Sequence, residues 1–298
     1  MTDAPDPMLG ARRRALTEWS ARTRRDLPWR RTRDPWAILV SELMLQQTQV
    51  ARVEPKYDAF LTRFPTVASC AGASVGEVVT MWAGLGYNRR AVNLHRCAVT
   101  VVEQHGGELP RGLDELLALP GIGPYTARAV SAFAFERDVG VLDTNAARVL
   151  ARWHGRALKP AEAQRLADAM VPPGEGWAWN QAMLDLGATC CTSRAPRCDG
   201  CPTASSCAWF VAGRPEPDPA VGSAGVSGRQ SAFEGSDRQG RGRLVDGLRR
   251  ATAIAADDLA AVAGWPADPP RAARAAESLV RDGLARWTDD VPPALTLP

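Results

Sequence analysis

Five of the chain's seven cysteines fall between Cys190 and Cys207, in the string CCTSRAPRCDGCPTASSC, while Cys70 and Cys97 lie far upstream. Leaving out Cys190, the spacing is Cys191, six residues, Cys198, two residues, Cys201, five residues, Cys207. Four thiolates can hold a zinc ion or a [4Fe–4S] cluster. Structural zinc usually takes two closely spaced pairs, and only Cys198 and Cys201 form one here. A compact loop around a larger cluster is therefore favoured. An odd number of thiols argues against a closed disulfide framework, and the opening residues carry no apolar run suited to an export signal. A cytoplasmic protein is expected, and no stretch reaches the ~20 apolar residues of a membrane span.

Two carboxylates stand out. Glu42, in WAILVSELML, is the only ionisable residue among its neighbours, and at helical spacing it lies near Ile38, Leu39, Leu45 and Gln46. Apolar surroundings favour the neutral carboxyl, which suits a general acid; the alternative is a solvent-facing stripe. Asp143, in VLDTNAARVL, precedes an apolar helix and reads as its N-cap, a place where a carboxylate keeps its charge and can face a cationic intermediate. One neutral and one ionised carboxyl make a glycoside-cleaving pair. Between them, at residues 119–127, LPGIGPYTA places Gly121 and Gly123 in a turn that exposes backbone N–H groups at a helix start. That suits a phosphate, although an ordinary helix corner has the same composition. His95, His105 and His154 show no ligand spacing. Lys56 and Lys159 are the only lysines among 36 basic residues, so a mechanism through an amine has two candidates.

Positioning these groups falls mostly to helices. Apolar runs of helical period fill the chain up to about residue 211: DPWAILVSELMLQQTQVARV, LDELLAL, PYTARAVSAFAF and TNAARVLARW. A Pro-, Gly- and Ser-rich stretch at 212–235 reads as a flexible linker. Residues 236–298 then offer GRLVDGLRRA, DDLAAVAG and RAARAAESLVRDGL as helices and ARWT and ALTL as strands, a small winged-helix-like module. The expected class is mostly α, with a core over 1–211. A net charge of +3 does little by itself to indicate a nucleic-acid partner.

Seven strings in order, RDLPWR, SELMLQQTQV, GLGYNRRAVNLH, LPGIGPYTA, LDTN, NQAMLDLGA and the cysteine loop, resemble the helix–hairpin–helix DNA glycosylases that carry an iron–sulfur cluster. Within these the chain resembles the adenine glycosylase (MutY) family, which acts on adenine mispaired with 8-oxoguanine. The resemblance implies a two-lobed helix–hairpin–helix fold and a [4Fe–4S] cluster on Cys191, Cys198, Cys201 and Cys207. The implied partner is double-stranded DNA bearing an A:8-oxoguanine or A:G mispair, bound by a monomer. It implies that Glu42 protonates adenine at N7, that Asp143 stabilises the oxocarbenium-like sugar, and that Tyr125 and Asn145 line the pocket. Arg25 and Asp185 match positions that hydrogen-bond the adenine edge. Gln47, Thr48, Leu85 and Tyr87 match positions that wedge into the duplex or meet the 8-oxoguanine side. Tyr125 stands where related glycosylase-lyases carry a Schiff-base lysine, which implies a monofunctional enzyme. The chain departs from the family at Asn88, where a second tyrosine is common, and in its C-terminal segment of about 60 residues, which is short for the family's Nudix-related domain. Competing expectations are a thymine or uracil mismatch glycosylase and a DNA-binding protein without catalysis.

Overall fold

The computed structural model describes residues 8–224 and 232–298. The chain packs as two units. One is formed by the described residues of Met1–Ile38, Arg111–Leu117 and Gly123–Arg229, the other by Leu39–Pro110, Ala118–Ile122 and the described residues of Gln230–Pro298. Neither coincides with the linear division into 1–211 and 236–298, because the chain crosses between the units more than once.

In the first unit the N-terminal helix Leu9–Thr23 packs against Gly176–Asp185, and Thr144–His154 packs against both Pro160–Met170 and Gly176–Asp185. The shared core contains Leu16, Val149, Leu150, Trp153, Trp179, Met183, Leu186 and Trp209. Arg12, almost fully buried on the N-terminal helix, donates from Nη2 to the carbonyls of Trp153 (3.0 Å) and Ser206 (2.6 Å), tying that helix to the cysteine loop. Helix Gly176–Asp185 runs directly into a π-helical turn, Leu186–Cys190, which ends at the first cysteines. Such turns widen a helix by one residue and recur at functional sites.

The expectation of a flexible linker over 212–235 fails for its first half. Asp218 pairs with the buried Arg152 at 2.6 Å, Trp209 Nε1 donates to the Pro215 carbonyl at 2.9 Å, and Ala220 is buried. A Pro- and Gly-rich composition signals the lack of a regular element but says nothing about such tertiary anchors. Residues 225–231 of the expected linker lie outside the described residues.

In the second unit the helices Val67–Ala71 and Val75–Met81 pack on the long helix Arg89–His105. Phe60, Phe64 and Trp82 build the aromatic centre, with ring centroids 4.9 and 6.0 Å apart from Phe60. The C-terminal segment belongs to this unit. Helices Asp237–Arg250, Leu259–Ala263 and Pro269–Arg281 bury Leu244, Leu248, Ala272, Ala276 and Leu279 beside a small sheet. Its strands are β1 (Ile254–Ala255), β2 (Arg286–Trp287) and β3 (Ala294–Thr296), in the antiparallel order β1-β3-β2. The expected helices and hairpin are present, and β1 is an additional strand of two residues, too short for any alternation to reveal. Among the described residues no strand precedes it, and no helix is long and apolar enough to cross a membrane.

Candidate active site

The helix Pro35–Leu45 begins where Asp34 accepts a hydrogen bond from the Trp36 N–H at 3.1 Å. Along it Ile38, Leu39, Val40, Leu43 and Met44 are buried, and Glu42 among them is 5% exposed. Glu42 therefore does not lie on a solvent-facing stripe. The end of this helix is fastened by Arg90, which sequence reading passed over inside GLGYNRRAVNLH. Arg90 Nη1 donates to the carbonyls of Leu43 (2.7 Å), Met44 (2.9 Å) and Gln46 (2.6 Å). Its Nη2 donates to Thr48 Oγ1 (3.1 Å) and to the carbonyls of Leu85 and Gly86 (both 3.0 Å). Burial lowers the pKa of Arg90 to about 10. One buried guanidinium thus gathers residues 43–48 and 85–86, and with them three of the predicted DNA-contacting positions, while its Nε donates to the carbonyl of the fourth, Tyr87, at 3.4 Å. Of these, Gln47 and Tyr87 are exposed and both have positive φ (53° and 45°), Thr48 is half-buried, and Leu85 is buried. The displayed side chains are those of Gln47 and Tyr87.

In the first unit Asp143 is the N-cap of helix Thr144–His154. Its Oδ1 accepts from the Ala146 N–H at 2.7 Å and its Oδ2 from Asn145 Nδ2 at 2.7 Å. Asn145 Oδ1 in turn accepts from Arg148 Nη2 at 2.7 Å, while Arg148 also donates to the carbonyls of Gly187 (2.8 Å) and Cys191 (2.7 Å). Burial pushes the Asp143 carboxyl above the ordinary aspartate value, against the opposing pull of the Ala146 N–H, the Asn145 amide and Arg148. Desolvation thus works against the preference of the helix cap for the ionised carboxylate. The segment leading to Asp143 is held by Asn180, whose Oδ1 accepts from the Val141 N–H and whose Nδ2 donates to the Val139 carbonyl, both at 2.8 Å. Gly187 leaves no space for a side chain, since a Cβ there would stand 2.6 Å from the Asn145 Cβ. Tyr125 is half-buried in the first turn of helix Pro124–Phe133.

The string LPGIGPYTA forms the expected turn. Gly121 has φ +76°, and a Cβ there would lie 2.5 Å from the Asn93 Cβ, so glycine is demanded twice over. Gly123 has φ −93° and open space at its Cβ position, and it caps the following helix without a side-chain bond.

Arg25 and Asp185 are brought together, but not as two free hydrogen-bonding edges. Asp185 Oδ1 accepts from Arg25 Nε (2.6 Å) and Arg30 Nη2 (2.9 Å), and its Oδ2 from Arg30 Nη1 (2.7 Å). Its side chain is 1% exposed, whereas that of Arg25 is 34% exposed. Burial alone would raise the Asp185 pKa, but Arg30 and Arg25 hold it below the usual carboxylate range. Asp185 is thus an anchor, and Arg25 is the group it presents.

The cysteines line one cavity. Cys190, Cys191, Cys198, Cys201 and Cys207 border it together with Trp153, Trp209, Phe210 and Arg152. Burial raises the pKa of Cys191 and Cys198 and lifts Cys207 to about 11, while bonds from Cys190 and Thr203 favour the thiolate of Cys201. Arg152 Nη1 donates to Cys191 Sγ at 3.2 Å. Among the described residues no three His, Cys, Asp or Glu are gathered around one point as a single metal ion would need. The all-sulfur donor set bordering a cavity fits a soft, polynuclear centre.

Residues 40–173 match the family described as HhH-GPD superfamily base excision DNA repair protein. The adenine DNA glycosylase of Mycolicibacterium smegmatis is 45% identical over 281 residues, 92% of each chain. The human adenine DNA glycosylase is 42% identical over 210 residues, covering 65% of this chain and 38% of the human protein. Among solved structures, a thermostable thymine-DNA glycosylase superposes with a TM-score of 0.67 at 30% identity, over 70% of this chain and all of that one. An endonuclease III–DNA covalent intermediate, at 22% identity and a TM-score of 0.60 over 70% of this chain and 99% of that one, shares the fold. Identity at the higher level extends over nearly the full length of both chains, well beyond the part that a shared fold alone covers: this chain belongs to the adenine DNA glycosylase family.

Proposed function

We propose that the protein hydrolyses the N-glycosidic bond of adenine in duplex DNA where adenine is mispaired with 8-oxoguanine or guanine. The observation that carries this reading is the burial of Glu42 on an otherwise apolar helix. A purine leaves readily when its N7 is protonated, and an acid kept from water is suited to hold that proton until the base arrives. Glu42 donates to N7, the C1′–N9 bond breaks with its electron pair going to the base, and Asp143, ionised against the developing positive sugar, stabilises it until water attacks C1′ and loses its proton to the Glu42 carboxylate left by the first step. Asn145 holds Asp143 in place and, with Tyr125, lines the pocket. Arg25, oriented by Asp185, meets the adenine edge. Gln47 and Tyr87, with Thr48 and Leu85 behind them, enter the duplex and help offset the few kcal/mol of unstacking that base flipping costs. Gly121 and Gly123 receive a backbone phosphate.

Cys191, Cys198, Cys201 and Cys207 would hold a [4Fe–4S] cluster, which supplies a structural staple for the loop around it. The purified protein is expected to be brown and to contain about four irons per chain. Cys198→Ser should lose iron and DNA affinity together, because a loop without a core of its own folds around its metal. Elemental analysis finding zinc in place of iron would refute the cluster.

The hairpin offers Tyr125, and a phenol forms no imine, so strand cleavage by β-elimination has no nucleophile there. Incubated with an A:8-oxoguanine duplex, the protein should leave an intact abasic strand that breaks only on alkali or heat. Borohydride should trap little covalent adduct. Efficient trapping that disappears on mutating Lys56 or Lys159 would overturn the monofunctional reading.

A further inference from the structure

Residues 84–88 of the second unit follow a backbone path that few sequences hold unaided. Gly84 and Gly86 have φ of 86° and 69°, and Tyr87, which has a Cβ, sits at φ 45°. Arg90 secures one side of this loop, as described above. The other side is secured by a residue far along the chain, Arg249, in the last turn of helix Asp237–Arg250. Arg249 Nη2 donates to Asn88 Oδ1 at 2.9 Å and to the Val79 carbonyl at 2.8 Å, and Nε donates to the same carbonyl at 3.1 Å. Its Nη1 pairs with Asp246 at 2.6 Å, and its side chain is 7% exposed.

Asn88 shows that this contact is not incidental. It occupies the N-cap of helix Arg89–His105, where an asparagine oxygen ordinarily accepts from the helix's own N–H groups, yet it makes no such bond. Its oxygen is given to Arg249 instead. The same loop and helix Asp237–Arg250 line one groove of about 1010 Å³, and its charged lining is Arg52, Arg89, Arg238 and Arg241, with Arg90, Arg249 and Asp246. Arginine outnumbers acid in that lining, which suits a phosphate backbone.

We propose that Arg249 is a positioning residue: carried by the C-terminal module, it braces residues 85–88 through Asn88 and Val79 so that Tyr87 is held ready to enter the duplex. The proposal rests on the reading of Tyr87 as a DNA-contacting residue. Without the guanidinium, the Asn88 and Val79 oxygens lose a charge-assisted donor and the left-handed Tyr87 is free to relax. The loop must then be ordered at the expense of DNA binding energy. Base flipping slows, and the bond-breaking step does not change.

The test uses full-length protein carrying Arg249→Ala, Asn88→Ala, both, or Tyr87→Ala. Two quantities are read well below the melting temperature of each variant: single-turnover adenine release from an A:8-oxoguanine duplex, and the fluorescence rise of 2-aminopurine placed beside the target adenine. Arg249→Ala and Asn88→Ala should each slow both by about tenfold, the scale of one hydrogen bond to a charged group. The double variant should be no slower than the slower single one, because both remove the same contact. A general loss of stability would lower melting temperature without slowing flipping in the folded fraction. If Arg249→Ala does not fold, Asn88→Ala decides, since it leaves helix Asp237–Arg250 intact. Wild-type flipping by Asn88→Ala, or effects that multiply in the double variant, would overturn the brace. If Tyr87→Ala flips as wild type does, the reading of the loop as DNA-contacting fails and the brace fails with it. If Tyr87→Ala is slow but Asn88→Ala and Arg249→Ala are not, the brace alone fails.

Discussion

Replacing Glu42 with Gln is expected to lower the single-turnover rate of adenine release by about a thousandfold, within the range removed with a general acid, while duplex affinity stays close to that of the wild type. The two side chains have nearly the same shape, which matters at a position only 5% exposed in a packed helix. The amide can still donate a hydrogen bond to N7 but has no proton to give up. Adenine would then have to leave as an anion, so the loss falls on the bond-breaking step and not on binding. The 2-aminopurine fluorescence rise should survive in this variant. A variant that kept most of its rate would place the acid elsewhere.

Asp143→Asn is expected to cost about a hundredfold to a thousandfold in rate, the scale of removing one preorganised charge-stabilising group. Asparagine caps a helix about as well as aspartate, so the bond from Ala146 N–H is retained. What changes is the bond from Asn145 Nδ2, which would meet an amide donor in place of Oδ2 and cost about 1 kcal/mol of stability. The variant thus separates charge from cap: a melting temperature close to wild type with a rate far below it. The pH profile gives a further check. Burial raises the Asp143 pKa above its ordinary 3.8, and the group acts in its ionised form. As pH falls, activity should therefore be lost at a pH above 3.8, seen in the acid limb of kcat/KM, which reports the free enzyme. An acid limb at or below 3.8 would mean that burial does not raise the pKa of the carboxylate the reaction needs.

Much of this site could be read along the chain, because its chemical groups sit in short strings with distinctive composition. The structure adds why those strings occur together: they bond to one another. RDLPWR supplies Arg25 and Arg30, which enclose the Asp185 of NQAMLDLGA. LDTN supplies Asn145, which lies against the Gly187 of that same string. SELMLQQTQV supplies the carbonyls of Leu43, Met44 and Gln46 that Arg90 of GLGYNRRAVNLH collects. Arg90, Arg148, Asn180 and Arg249 escaped the sequence reading because each has partners far along the chain, and a single arginine inside an amphipathic helix looks like any solvated charge. The signal that could have singled out Arg90 is its place beside glycines that force left-handed turns. The burial of Leu85 and Asp185 was not legible along the chain, since burial depends on the packing of distant elements. The anchoring of residues 212–220 through Asp218 was hidden for the same reason.

The central claim is that this chain removes adenine by hydrolysis, and the most direct measurement of it is the free base released from a set of otherwise identical duplexes. The target adenine is placed opposite 8-oxoguanine, guanine, cytosine or thymine, with matching duplexes carrying thymine or uracil opposite guanine, and products are resolved chromatographically with strand integrity read in parallel. Free adenine is expected from the 8-oxoguanine and guanine duplexes and little from the cytosine and thymine duplexes, with an unbroken strand until alkali is added. Release of thymine or uracil from opposite guanine with adenine left in place, or tight duplex binding with no base released at all, would contradict it.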